Sequence, residues 1–291
     1  SGIIGFAANG DHWMRQEETM GIGVASASAL WVGSYQRRMP VSLDRMYENA
    51  LDWAHLPFLH HGSFASIELL DAGDWGWRAT LVSAHRGAQP EAFVVQLSLD
   101  RKHRRWISST LEGPGAGSEI WTHVFEYGPR DIAIQADFFV PGVALDQKAR
   151  VGAGYQQLYQ GLYDEDEAMM LGRQNALDQG AAQNSVESEA LDLGPFESVQ
   201  KTQGLDFDFN GQRWRLVADQ DELIVHSLTC PHQLGSFVGE AVIDGTITCP
   251  WHGYRFDVRS GDCLSGHPCK LPKAPRVMAR GGRLIATQAA P

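Results

Sequence analysis

"TCPHQLGS", Thr229 to Ser236, is followed by "TCPWHGYRF", Thr248 to Phe256. The chain has only four cysteines in 291 residues, yet each of these stretches sets a cysteine close to a histidine in a loop punctuated by Pro and Gly. The pattern is Cys230-x-His232, sixteen residues, then Cys249-x-x-His252. Two thiolates and two imidazoles arriving from two loops form a four-ligand metal set.

Composition bounds what else the chain can be. With 43% apolar and 20% charged residues it is long enough for two domains with separate cores. No run approaches the roughly 20 apolar residues of a spanning helix, and the N-terminus has no basic start leading into an apolar run, so the expectation is a cytoplasmic protein without a membrane role. A net charge of -11 argues against nucleic-acid binding, which draws on clustered Lys and Arg. Four cysteines are too few for a secreted disulfide scaffold. Cys263 and Cys269, in "GDCLSGHPCK", are read as two free thiols without a role.

Residues 181–195, "AAQNSVESEALDLGP", are small, acidic and end in Gly-Pro, and read as a linker. Before them, "GWRATLVS" from Gly76, "AFVVQLSL" from Ala92, "EIWTHVFEY" from Glu119 and "DIAIQADFFV" from Asp131 alternate as strands. From Leu145 to about Asp178 there is no proline, and Tyr155, Leu158, Tyr159, Leu162 and Met169 recur at helix spacing. The first domain is therefore α+β, an antiparallel sheet with a long C-terminal helix. Beyond the linker, "FDFNGQRWRLVAD", "LIVHSL" and "GTITCP" are short strands with turns at Asn210-Gly211 and Asp244-Gly245, an all-β domain. The boundaries are 1–27 for an N-terminal extension, 28–180 for the first domain, 181–195 for the linker and 196–291 for the second.

Two Cys and two His also suit structural zinc, but zinc loops space their ligands two to four apart, whereas Cys230-x-His232 leaves one residue between. Two thiolates on one iron and two histidines on the other make a Rieske 2Fe-2S centre. "CPHQLGS" and "CPWHGYRFD" resemble the two cluster loops of Rieske domains, a resemblance covering about residues 196–289. Ser236 stands where respiratory Rieske proteins place a disulfide cysteine, so the resemblance is to the ferredoxin and oxygenase type.

The first domain carries a second candidate centre in "MYENALDWAHLPFLHHGSF". If Leu43 to about Ala54 is helical, Glu48, Asp52 and His55 share a face, and Pro57 disfavours helix at Leu56 so that His60 can turn back towards His55. Two converging histidines need a carboxylate to become the facial triad of non-haem Fe(II). The long helix offers "YDEDEAMM", in which Glu165 and Asp166 point inward with Met169 while Asp164 and Glu167 point to solvent. Periodicity leaves both inward acids as candidates.

"ENALDWAHLPFLHHG" resembles the Asn-x-x-Asp-x-x-His-x-x-x-x-His signature of the Rieske non-haem iron oxygenases, over roughly residues 28–180. The resemblance implies a helix-grip, START-like fold, with mononuclear iron on His55, His60 and Asp166, the last followed by Gln174. Asp52 would bridge an iron histidine to a cluster histidine, and His61 would stay outside the ligand set. It further implies O2 as co-substrate, electrons from a ferredoxin or flavin reductase, an apolar small-molecule substrate that is hydroxylated or demethylated, and a homo-oligomer, usually a trimer. The domain order here is the reverse of that family's, which leaves open whether the cluster serves its own chain's iron or a neighbour's. The alternative is an electron-transfer or ligand-sensing protein with a START-like cavity and no mononuclear iron.

Overall fold

The computed structural model describes residues 29–84, 91–182, 188–197, 204–219 and 222–288; the N-terminal extension read at 1–27 lies outside them. The first domain runs β1 (Ala29–Met39), α1 (Leu43–Leu51), α2 (Leu56–Leu59), β2 (Phe64–Gly73), β3 (Gly76–Ser83), β4 (Ala92–Asp100), β5 (Arg105–Glu112), β6 (Glu119–Gly128), β7 (Asp131–Pro141) and α3 (Lys148–Ala182). Its strands make one antiparallel seven-stranded sheet in the order β1-β7-β6-β5-β4-β3-β2. All but the β1–β7 neighbours are joined by short connections in sequence order, so the pairing is local except where the chain closes the sheet. Alternation sets the faces: along β7, Ile132, Ile134, Ala136 and Phe138 are buried, while the residues between them are partly exposed.

The long helix α3 packs inside this sheet. It crosses β1 at Gly152, where a Cβ would stand 2.3 Å from the Val32 carbonyl oxygen, so only glycine permits the approach. Phe138 stacks on Tyr155 and meets Tyr159 edge-on, with ring centroids 5.1 and 5.0 Å apart. This is the helix-grip fold. No helix among the described residues is long and apolar enough to cross a membrane.

The C-terminal domain runs β8 (Ala190–Pro195), β9 (Leu205–Phe209), β10 (Gln212–Asp219), β11 (Glu222–Ser227), β12 (Thr246–Thr248), β13 (Arg255–Asp257), β14 (Arg276–Arg280) and β15 (Arg283–Thr287), in three small sheets. Both turns read from sequence have φ positive at their two central residues, 46° and 76° at Asn210-Gly211 and 50° and 73° at Asp244-Gly245, as primed turns demand. The second half of the stretch read as linker is strand: β8 pairs with β15 and carries Leu191 and Leu193 onto the core of Phe209, Trp214 and Leu284. Its two apolar residues are spaced by two, a period too short to stand out within an acidic segment.

The two domains share a core. Met169 of α3 and Leu59 of α2 pack with Leu228, Cys230, Phe237, Cys249 and Trp251 of the second domain. Gly253 has φ 66°, and a Cβ there would lie 2.1 Å from the Phe58 ring, so the cluster-side loop sits directly on α2.

Candidate functional site

The two Cys/His loops are built alike. The Cys230 amide donates to the Gly235 carbonyl at 2.8 Å and the Leu234 amide to Cys230 at 3.0 Å; the Cys249 amide donates to Tyr254 at 2.8 Å and Gly253 to Cys249 at 2.9 Å. Position four after each cysteine is left-handed, φ 64° at Leu234 and 66° at Gly253. One loop geometry, used twice, brings both buried cysteines together and sets the His232 and His252 rings 4.7 Å apart. The contact with Cys230, against the opposing effect of burial, draws the Cys249 thiol down to about 5, and His252 helps. Two buried thiols and two imidazoles converging from like loops fit a 2Fe-2S cluster of Rieske type. Tyr254 stacks between His232 and His267, at 4.4 and 3.9 Å, and covers one face of the His232 ring. Cys263 and Cys269 face each other across the strand bridge Asp262–Lys270, beside this stack.

The second centre forms where α1, α2 and α3 meet. Ser42 caps α1, its hydroxyl accepting from the Arg45 amide at 3.2 Å. The helix stops at Leu51, earlier than the spacing predicts. Asp52 leaves helical geometry with ψ 78°, a 3₁₀ turn spans Trp53–His55, and Leu56 is helical at φ -50°, ψ -49°. Pro57 sits in the first turn of α2, where its missing donor would be unpaired anyway, which offsets its bias against helix at Leu56. The break separates residues read as sharing a face: Glu48 turns to Arg45 and Arg173, while Asp52 turns to the cluster loops.

The change of direction brings His55 and His60 to a centroid distance of 5.1 Å. His55 Nε2 lies 3.5 Å and His60 Nε2 3.1 Å from Asp166 Oδ1, and His55, His60 and Asp166, all buried, offer ligand atoms within 4.8 Å of one another. Two imidazoles and one carboxylate pointing at a common centre are a donor set that fits mononuclear iron. Glu165 is displaced from that centre: its Oε2 takes the other face of His60, 2.6 Å from Nδ1. Burial would lower the His60 pKa, but Asp166 and then Glu165 raise it. Asp164 and Glu167, read as a solvated face, both hold Arg37 of β1; a cation on a neighbouring strand is invisible to helix periodicity. Gln174 donates to Asp178, and His61 Nδ1 lies by the Phe58 carbonyl, away from the centre.

Asp52 stands between the two centres. Its Oδ2 is 2.7 Å from His252 Nε2 and accepts from Gln233 Nε2 at 3.2 Å, which leaves His252 Nδ1 free to face the cysteines. Burial alone would raise the Asp52 carboxyl, yet its contacts with His252 and His55 hold it well below the usual carboxylate range. The distance from Oδ2 to His55 Nδ1 is 3.9 Å, outside hydrogen-bond reach, and that nitrogen has no other partner. Two further residues emerge from the structure alone. Asn49 donates to Asp166 Oδ1 at 2.8 Å, and Gln233 reaches Asp52 from 181 positions away. Asn49 lies in the stretch whose resemblance was read from sequence, although its partner could not be read from it; Gln233 left no signal.

Between the sheet and α3, below this centre, lies a cavity of about 330 Å³. A wider cleft of about 1010 Å³ opens beside His232, Tyr254 and His267.

Residues 190–276 match the family model described as Rieske [2Fe-2S] domain. No curated protein matches the chain. Among solved structures, norcoclaurine synthase from Thalictrum flavum is 19% identical, covering 52% of this chain and 93% of its own, with a TM-score of 0.40. A Thermus thermophilus protein is 17% identical over 48% of this chain and 96% of its own, TM-score 0.40. The ferredoxin of carbazole 1,9a-dioxygenase from Nocardioides aromaticivorans is 26% identical over 35% of this chain and 100% of its own, TM-score 0.31. The chain thus joins an N-terminal helix-grip domain to a C-terminal Rieske [2Fe-2S] domain.

Proposed function

We propose that this protein is a Rieske-type non-haem iron oxygenase that hydroxylates or oxidatively demethylates a largely apolar small molecule, drawing electrons from a separate ferredoxin or flavin reductase. The observation that carries this reading is the convergence of His55, His60 and Asp166 on one point, with Asp52 standing between His55 and His252 of the same chain. When bound, the cluster on Cys230, His232, Cys249 and His252 would supply single electrons, and Fe(II) on the triad would activate O2 against a carbon-hydrogen bond.

The chain's own residues have distinct parts in this. Glu165 accepts a hydrogen bond from His60 Nδ1–H and so presents Nε2 inward, and Asn49 fixes the Asp166 carboxylate, as outer hydrogen bonds do for metal ligands. Asp52 stays ionised and orients His252, while its second neighbour, His55 Nδ1, needs only a small approach to donate to it. Trp77, Trp106 and Tyr163, all buried, wall the cavity and exclude water. An electron-transfer protein with a binding cavity would need the cluster but not the inward acid.

Metal analysis separates the two. The oxygenase holds about three irons per chain, one of them lost in His60→Ala without change to the cluster spectrum; a content of about two irons, unchanged in that variant, refutes it.

A further inference from the structure

The cavity has a polar far end, at which one buried hydroxyl, that of Ser118, has no partner. On β6 the inward face carries Thr122, Ile120 and then Ser118, just before the strand, and on β5 it carries Trp106, Ser108 and Thr110. Trp106 pairs with Thr122 and Ser108 with Ile120, while the Gly117 amide donates to the Thr110 carbonyl at 2.8 Å and the Thr110 amide to Ser118 at 2.9 Å. Ser108, Thr110 and Ser118 therefore form one patch of hydroxyls on two paired strands. Ser118 is 4% exposed, and its Oγ has no hydrogen-bond partner. A buried hydroxyl left unpaired is costly unless a ligand satisfies it.

Two independent rulers place this patch far from the candidate iron. Thr122 lies beside Tyr163, one turn of α3 before Asp166, and Ser118 is four strand residues from Thr122, about 13 Å along the strand. On the other wall, Phe138, which pairs with Ile120, stacks on Tyr155; Tyr155 precedes Asp166 by eleven helical residues, about 16 Å. The rest of the lining is largely apolar, with Leu81, Phe93 and Val95 beside the rings of Tyr155, Tyr159 and Tyr163. The only ionisable Asp, His, Lys, Arg or Glu side chains among the described lining residues are Asp52, His55, His60 and Asp166, all at the metal end.

We infer that the substrate is an uncharged, elongated apolar molecule bearing a hydroxyl or carbonyl oxygen at the end remote from the reacting carbon, and that Ser118, helped by Thr110, hydrogen-bonds that oxygen. This rests on the oxygenase reading for which carbon reacts, but not for the binding itself. A carboxylate at the same place would be buried without a cation, which disfavours acidic substrates. A pure hydrocarbon would fill the walls and leave Ser118 unsatisfied.

The test is equilibrium dialysis of the full-length protein, as purified and without reductant, against naphthalene, 2-naphthol and 2-naphthoate. The expected result is 2-naphthol bound about three- to tenfold tighter than naphthalene, and 2-naphthoate weakest of the three. Ser118→Ala should erase the naphthol advantage while leaving naphthalene affinity unchanged; Thr110→Val, which keeps shape, should reduce the advantage. Equal binding of naphthol and naphthalene, tightest binding of naphthoate, no binding of any probe, or an advantage intact in both variants would each overturn the inference. Iron content measured on the same preparations reports on the oxygenase reading separately, because no turnover is needed for binding.

Discussion

Asp52 has three neighbours and hydrogen-bonds two of them. It accepts from His252 and Gln233 but stands 3.9 Å from His55, so its charge matters more than its shape. Asp52→Asn should fold, keep a reducible cluster and retain most of the mononuclear iron, yet pass electrons between the centres too slowly for turnover; rapid-mixing measurement of cluster oxidation with oxygen and substrate checks this. If Asp52 only stabilised the turn after α1, oxidation would run at the unsubstituted rate. The acids on α3 divide in the same way. Asp166→Ala should lose the third iron outright, whereas Glu165→Gln, which removes only the charge facing His60, should weaken iron affinity about tenfold. Iron titration followed by metal analysis distinguishes them, and the reverse order would mean that Glu165 is the ligand.

Strand β11 contributes a titrating group of its own. His226 is buried on it, its Nδ1 beside the Ser227 carbonyl at 3.0 Å and its Nε2 without a partner. Burial, only partly opposed by that carbonyl, lowers its pKa below the ordinary value. The unfolded chain takes up this proton near pH 6.5, but the folded chain does so only further into acid. Stability from this residue is therefore complete above about pH 6.5 and falls as the pH drops below it. Thermal unfolding midpoints should decline as the pH falls below about 6.5, and His226→Phe should flatten that decline; an equal slope in the variant would mean that other groups cause it. The strands themselves were legible where alternation was clean: β3, β4, β6 and β7 begin at Gly76, Ala92, Glu119 and Asp131, as the sequence predicts. Strands β1, β2 and β5 were not read. In β2 most residues are exposed on both faces, and β1 is interrupted by the irregularity at Trp31–Gly33, so neither shows a sustained period of two.

Across the domain boundary, Trp251, Met169, Leu59 and the Phe58–Gly253 contact seat the cluster loops on α2 and α3 of the same chain. With the helix-grip domain first, His252, Asp52 and His55 lie in series within one polypeptide, the only gap being the 3.9 Å between Asp52 and His55. Mixing Cys249→Ser with His60→Ala protein should recover no activity, and recovery would show that electrons cross between subunits. Trp251→Ala should cost about 3–5 kcal/mol by leaving a cavity in the shared core, with slowed cluster oxidation as its functional readout.

The candidate side chains stood out from local spacing because each group lies within a few residues: Cys230-x-His232, Cys249-x-x-His252 and His55-x-x-x-x-His60. Short range is what periodicity and loop chemistry report. Folding had to supply what joins distant segments. Helix phase left Glu165 and Asp166 equal, and only the crossing of α3 over the α1–α2 turn sets Asp166 between two imidazoles and Glu165 behind one of them. Likewise, the meeting of Asp52 with His252 is a contact over 200 positions, decided by the core the two domains share, which buries Met169 with Trp251.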